Sequence, residues 1–399
     1  MTADLFSANA FEPTPAAARA RLAAVRPSEY ARTRNHLGGA VTRLSPYLTH
    51  GLLTLPDVLQ SVLQRQPQLP VQHKLVYELG WREYFHHVWQ HEGDAIFESL
   101  HNGPLPDNVY ARQMPADLVE ARTGVPVIDS AVRELYAAGW LHNHARMWLA
   151  SYVIHHRKVH WRTGADWLVR HLLDGDLASN HLSWQWVAGT GSHKPYLFNA
   201  ENVARYAPPD WHSPGTVVDV SYEALDRMAR ERGRPGREPA HAGSPGAVQP
   251  ACSTSPPVAF GPPDPTRVLG RAVWLVHPWS LAEPPADLPA DTLRVGICVA
   301  EWHAAWPWSE ARWGFVGDRM AALCTVLWHA DGATLHAALS GAGSVQGIDD
   351  PHLGGWAGRQ WLSPPARLFA SPARRCGSFS QFWTQVTRRM TDAAELLDG

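Results

Sequence analysis

Three stretches set polar groups beside tryptophans at the spacing that brings side chains onto one helix face. In ELGWRE, Glu78, Trp81 and Arg82 stand at i, i+3 and i+4; in WLHNHARMW, Asn143, Arg146 and Met147 repeat that pattern; in SNHLSWQW, Asn180 and Trp184 are four apart. A solvated face would not need tryptophan. A plain core would not hold a carboxylate, two amides and a guanidinium, because buried polar groups cost free energy unless partnered. A shared cavity filled by something large, flat and polar at its edges satisfies both demands. TRLSPYLTHG adds Thr42, Arg43 and Ser45 where a helix could begin, and hydroxyl, guanidinium and free helix N–H groups together suit a phosphate; a simple capping segment would read the same way. No catalytic triad or phosphate loop accompanies these stretches. His86, His87 and His91 on one helix and His155 with His156 on another invite a metal reading, but the spacing of zinc enzymes is missing, so no metal is expected. Partly exposed helix histidines are the expectation.

The elements that must position these residues are legible from periodicity. TLPDVLQSVLQ, HKLVYELGWREYFHHVWQ, IDSAVRELYAAGW and HARMWLASYVIHH carry apolar residues at three-and-four spacing, so residues 1–230 read as all-helical. Between Gly233 and Pro265, 14 of 33 residues are Gly or Pro, which assigns residues 231–267 to a linker. Downstream, AVWLV and LRVGICVA are short apolar runs suited to buried strands, with TVLWHA a further strand. SEARWGFVGDRMAAL begins a helix with Ser309 as its cap, and SFSQFWTQVTRRM closes the chain as a helix. Residues 268–399 are therefore expected to form a small α/β domain, giving a multi-domain chain.

Composition narrows the partners less. Lys and Arg total 35 against 37 Asp and Glu, a net charge of −2 that gives no global push towards nucleic acid and leaves a local basic groove possible. Nineteen tryptophans exceed what a core alone explains, since each indole N–H needs a partner when buried. Cys252, Cys298, Cys324 and Cys376 form no C-x-x-C pair and read as reduced, mostly buried thiols. No leader or membrane-spanning run is apparent, so a soluble cytoplasmic protein is expected.

In order along the chain, Tyr30 with Thr33 and Arg34, then TRLSPYLTHG, ELGWREYF, TGVPVIDSAVREL, GWLHNHARM and DGDLASNHLSWQW resemble the FAD-binding helical domain of the photolyase and cryptochrome family, over about residues 19–206. The resemblance implies FAD as cofactor. Tyr30, Thr42, Arg43, Leu44, Ser45 and Arg82 would hold the diphosphate and its surroundings, and Trp140 would line the pocket. Arg146 would pair with Asp174 beside the flavin, Asp176 would contact its ring or ribose side, Asn143 would also border it, and Asn180 would face N5. An amide at that last position is typical of the repair branch. Glu78, Trp81, Asn143, Met147 and Trp186 match positions that hold a cyclobutane pyrimidine dimer flipped out of DNA, with Trp81 and Trp186 stacking on it. The implied activity is light-driven repair of UV-damaged DNA by a monomer, as a deoxyribodipyrimidine photo-lyase. A cryptochrome-like photoreceptor that binds FAD without repair is the alternative.

Three departures from the family pattern stand out. Trp184 and Trp161 fit the first two positions of its electron relay, but Asn108 falls at the third, with Tyr110 the nearest aromatic. His144 stands where dimer-repair relatives carry an arginine that reaches a DNA phosphate. The α/β region follows the helical domain, whereas typical members begin with an α/β antenna domain. A circular permutation would account for that order, with a parallel sheet between Ala272 and Arg389 as its requirement; the antenna chromophore stays open. Trp184 and Trp186, two apart, point about 200° from each other on a helix and so should serve different surfaces.

Overall fold

The computed structural model describes residues 11–192, 194–233, 246–257 and 259–398. Its first part is helical: α1 (Pro15–Ala23), α2 (Pro27–Thr33), α3 (Ser45–Thr49), α4 (Leu55–Arg65), α5 (Lys74–Glu92), α6 (Ala116–Val119), α7 (Pro126–Ala138), α8 (Asn143–Ser151), α9 (Trp161–His171), α10 (Leu177–Ala188), α11 (Ala200–Tyr206) and α12 (Tyr222–Arg230). Local chemistry sets several ends. Thr54 and Asp57 form a reciprocal capping box at the start of α4, and Gly139 stops α7 in the left-handed region at φ +61°. Asp176 caps α10 by accepting from the Ser179 N–H at 2.7 Å, and Gly189 ends it at φ +81°.

Residues beyond 250 form β1 (Cys252–Ser253), β2 (Ala272–Val276), β3 (Leu293–Val299), α13 (Ala300–Ala305), β4 (Trp308–Ser309), α14 (Glu310–Leu323), β5 (Val326–Ala330), α15 (Gly332–Leu339), β6 (Ser344–Gly347) and α16 (Phe379–Val386). Strands β5, β3, β2 and β6 make one sheet in that order, and every pairing is parallel, with Leu275 opposite Val295 and Val273 opposite Val345. The chain winds outward from β2 through β3 to β5, then returns to the other side of β2, which puts a topological switch point between β2 and β6. The apolar runs that predicted β2, β3 and β5 are those strands. SVQG, which forms β6, has no apolar run to betray it, because it is an edge strand with half-exposed side chains.

Two expectations change in detail. Ser309 occupies the cap position of α14 but makes no capping hydrogen bond, since it is also part of β4, paired antiparallel with β1. Residues 234–245 of the expected linker lie outside the described residues. Its neighbours are bonded to both parts: the Ala247 N–H donates to the Glu120 carbonyl at 2.7 Å, and Cys252 of β1 pairs with Ser309 of β4.

Leu44, Tyr47 and Leu75 from the helical part belong to the same contiguous buried cluster as Val273, Ile297 and Phe379. His50 stitches the two parts together, with Nδ1 at 2.6 Å from the Pro278 carbonyl and Nε2 at 2.8 Å from that of Leu173. At the carboxyl end of the sheet, His277 Nε2 lies 2.7 Å from the Ile348 carbonyl, bridging β2 to β6 at the switch point. Trp279 and His352 stack there at 4.8 Å and 6°. All four cysteines are free; Cys298 and Cys376 are buried, Cys252 and Cys324 half-buried.

Candidate FAD and dimer site

Helices α5, α8 and α10 enclose a cavity of about 410 Å³. A second hollow of about 310 Å³ runs on from it, sharing Ser45, Glu78, Asn143, Arg146 and Asp174. A space of this size suits a large cofactor. Its two ends differ in chemistry. Tyr30, Thr42, Arg43, Ser45 and Trp140 line the second hollow, giving hydroxyls and a guanidinium at one end. The Trp140 indole donates to Ser45 Oγ at 3.1 Å, and the Arg43 guanidinium lies 4.9 Å over the Trp140 ring. Arg43 is held at φ +52°, a strained value for a side-chain-bearing residue that concentrates at ligand-binding positions. Burial pulls the Arg43 guanidinium below its ordinary value and pushes the Tyr30 phenol up. Leu44, between Arg43 and Ser45, departs from the expectation: its side chain is in the core, and it lines neither hollow.

At the middle, Arg146 Nη2 donates to both oxygens of Asp174, at 2.7 and 3.0 Å, and Arg146 Nε donates to the Leu141 carbonyl. The pair is thereby oriented rather than merely close. Asn180 reaches the cavity from α10, with its Nδ2 donating to the Ala165 carbonyl at 3.0 Å. Ser179, on the same wall, has a buried hydroxyl with no partner among the described residues. That orphan donor, the flat walls and the phosphate-compatible end fit a folded FAD. Neither spacing nor type singled out Ser179.

Asp176 does more than line the cavity. It is almost wholly buried, caps α10, and accepts from His86 Nε2 at 2.8 Å, with Arg82 Nη2 at 3.7 Å and His352 Nε2 at 3.8 Å. Burial alone would raise its carboxyl, but His86 and Arg82 hold it well below the usual range. Burial likewise works against His86, and Asp176 overrides it, raising the imidazole. The histidines are thus not generally half-exposed: His87 is buried and accepts from the Cys376 N–H at 2.9 Å, and His155 is buried with Nε2 at 3.0 Å from the Val187 carbonyl. No group of three His, Cys, Asp or Glu among the described residues is placed to share a metal ion.

Glu78, Trp81, Asn143, Met147 and Trp186 all line the main cavity, on the walls that also carry Asn180 and Trp184. Glu78 sits 3.5 Å from Arg34 Nε; burial nonetheless pushes its carboxyl up. Asn143 Nδ2 lies 3.5 Å from Met147 Sδ, one helical turn on. Trp81 is backed by Phe379 of α16, stacked at 4.0 Å and 8°, a contact no local pattern in the sequence could announce. Trp184 and Trp186 do border one cavity after all, at different depths: Trp184 is 2% exposed, Trp186 38%. His144 lies in the second hollow against Trp148 and Tyr206; burial, with Arg34 and His36 nearby, lowers it to about 4, so it is neutral.

Trp161 and Tyr110 stand back from the cavity. Trp184 packs against Gly164 of α9, where a Cβ would come within 2.3 Å of its ring, and Trp161 begins the same helix one turn earlier. Two series of rings lead outward from Trp161: His160 at 5.6 Å then Tyr110 at 6.2 Å, and His181 at 6.5 Å then Trp306 at 5.3 Å. Asn108 is exposed in the 3-10 turn Asp107–Val109.

Residues 75–210 match the family described as the FAD binding domain of DNA photolyase. The deoxyribodipyrimidine photo-lyase of Streptomyces griseus is 36% identical over 159 residues, covering 39% of this chain and 33% of its own. That of Escherichia coli (strain K12) is 32% identical over 197 residues, covering 44% and 42%. The chloroplastic/mitochondrial cryptochrome DASH of Oryza sativa subsp. japonica is 31% identical over 215 residues, covering 51% and 36%. The chain thus spans between a third and a half of these relatives' lengths. A Synechocystis cryptochrome structure superimposes with a TM-score of 0.46 at 29% identity, over 51% of this chain and 45% of that one. No described helix is long and apolar enough to cross a membrane. The segment that builds most of the cavity wall is thus similar to the FAD binding domain of DNA photolyase, and FAD is the cofactor that its cavity suits.

Proposed function

We propose that the protein is a light-dependent DNA repair enzyme of the cytoplasm, a monomer that splits cyclobutane pyrimidine dimers in UV-damaged DNA. The observation that carries this reading is that Glu78, Trp81, Asn143, Met147 and Trp186, expected to contact a dimer, line one cavity with Arg146, Asp174, Asn180 and Trp184, expected on the flavin side. When bound in reduced form, FAD supplies a photo-excited electron and recovers it once the cyclobutane ring has opened. The chain's own residues bind and orient. Trp81 and Trp186 stack on the flipped dimer, each base–aromatic contact contributing roughly 1–3 kcal/mol. The Glu78 carboxyl, whose proton burial helps to retain, donates in its protonated form to a pyrimidine carbonyl, where negative charge develops. Asn143 and Met147 fill the edge of the site, while the Asn180 oxygen accepts from the flavin side and the Arg146–Asp174 pair fixes the orientation between them. Arg43, Thr42 and Ser45 hold the diphosphate.

The test is blue-light illumination of the purified, reduced protein with a dimer-bearing oligonucleotide, following thymine recovery. Recovery that needs both light and protein is expected; intact dimers despite bound, reduced flavin would overturn the assignment. The photoreceptor reading draws on the exposed Asn108 at the relay's third position and the neutral His144. Under that reading, light would alter the flavin without altering the dimer. The four parallel strands and their switch point support a permuted antenna-type unit after the helical one.

A further inference from the structure

A third hollow, of about 380 Å³, adjoins the dimer site and shares Trp81, Phe85 and Trp186 with it. Its floor is aromatic, with Tyr77, Tyr84 and Phe379; its rim is Arg375, Ser378 and Ser380 from the end of the chain, faced by His101 and Ser192. Arg375, Ser378 and Ser380 are exposed. Arg375 spends one side of its guanidinium on Glu92, Nε to Oε1 at 2.5 Å, and has no other bond among the described residues. Aromatic floor beside a cationic, hydroxyl-bearing rim is the chemistry that holds single-stranded nucleic acid, stacking its bases and neutralising its backbone.

We propose that this hollow binds the sugar–phosphate backbone of the damaged strand immediately beside the dimer, with a phosphate on Arg375 and Ser380. The inference rests on the repair reading and adds to it the direction in which the strand leaves the cavity. Three features of the molecule converge on it. The hollow is continuous with the stacking walls, so a strand whose dimer lies between Trp81 and Trp186 must leave past one of their edges. The rim presents an arginine that is only partly engaged by Glu92, on a chain of net charge −2. The other phosphate-facing position, His144, is neutral and half-buried. Glu92 tempers Arg375 and so makes a prediction of opposite sign available.

The experiment measures fluorescence anisotropy of a labelled single-stranded 12-nucleotide probe, with and without one thymine dimer, over a series of salt concentrations on the flavin-loaded full chain. Arg375→Ala should weaken both probes several-fold and flatten the slope of log K against log salt by about 0.7, the contribution of one phosphate on a single strand. Glu92→Gln should tighten both. A probe with one uncharged methylphosphonate next to the dimer should bind the parent and Arg375→Ala alike. Trp81→Ala, in contrast, should weaken the dimer probe more than the undamaged one and leave the salt slope unchanged. Flavin content and circular dichroism of each variant establish that it is folded. Unchanged affinity and slope in both Arg375→Ala and Glu92→Gln, with the parent still preferring the dimer, overturn this inference and leave the repair reading standing. A parent with no preference for the dimer overturns both.

Discussion

Asn180 is anchored by one of its two amide N–H groups, which donates to the Ala165 carbonyl, so the second N–H and the amide oxygen are left to meet a ligand. Glu78 depends on pH: a carboxyl pushed up by burial is a donor at low pH and a charge at high pH, eased by Arg34 at 3.5 Å and by Lys74. Dimer affinity and repair yield should therefore fall as pH rises through the elevated Glu78 value, and Glu78→Gln should flatten that dependence. Glu78→Ala should cut the yield and leave flavin bound, measured as thymine recovery per flavin. These two residues were legible in the sequence because their type and helical spacing survive without coordinates. Ser179 was not, since only burial turns an ordinary helix serine into an orphan donor, and Phe379 was not, since it meets Trp81 from almost 300 residues away.

Helix α10 gathers the site's functions, and its first turn is fixed from outside the helical region. The Leu177 N–H donates to His352 Nε2 at 3.2 Å, and His352 Nδ1 sits 2.6 Å from Asp350 Oδ1, so the imidazole links the Asp350 carboxylate to the helix start. His352→Ala should lower the temperature at which flavin is released, read as flavin fluorescence, and His352→Asn should recover part of the loss. A release temperature unchanged in His352→Ala would show that α10 holds its own position. Helix α9 poses a different question, because two ring series leave Trp161. Tyr110→Phe and Trp306→Phe, compared by transient absorption of flavin photoreduction, should identify the operating exit by the variant whose long-lived charge separation is lost; loss in neither would mean that the relay ends at Trp161. The periodicity announced α4, α5, α7 and α8, and the apolar runs β2, β3 and β5. Nothing local announced that His352, in a loop after an edge strand, would serve α10.

For the molecule as a whole, buried neutral histidines decide the response to acid. Burial, chiefly, lowers His142 to about 3 and His155 and His171 to about 4, whereas in the unfolded chain each binds a proton near pH 6.5. A depressed imidazole leaves stability intact above pH 6.5 and removes it as pH falls towards the folded value, at ~1.4 kcal/mol per pH unit for each fully buried ring. Glu134 runs the other way: burial pushes it up to about 7, so it costs stability as pH rises from its ordinary value to 7. Three rings against one carboxyl predict an unfolding midpoint that drops between pH 6.5 and pH 4.5. A flat thermal-melting profile across that window would contradict it. Composition foretold many histidines but not their burial, which depends on how helical and α/β parts share one core. The order of the parts was readable from where the apolar runs change period, yet their intimacy was not, because contacts such as Trp383 Nε1 to Gln72 Oε1 join positions 311 apart.

That long reach bears on how the molecule is made. Helix α5 bears Tyr77, Trp81 and Tyr84, and Gly80 lies so close to Trp383 that a Cβ would come within 2.6 Å of its ring. All three rings wait for α16, which at about 5–20 residues per second leaves a ribosome roughly 15–60 s later. During that interval the nascent chain carries a bare aromatic face in place of a finished wall, and it is in that interval, rather than in the folded state, that a chaperone or a neighbouring chain would find it.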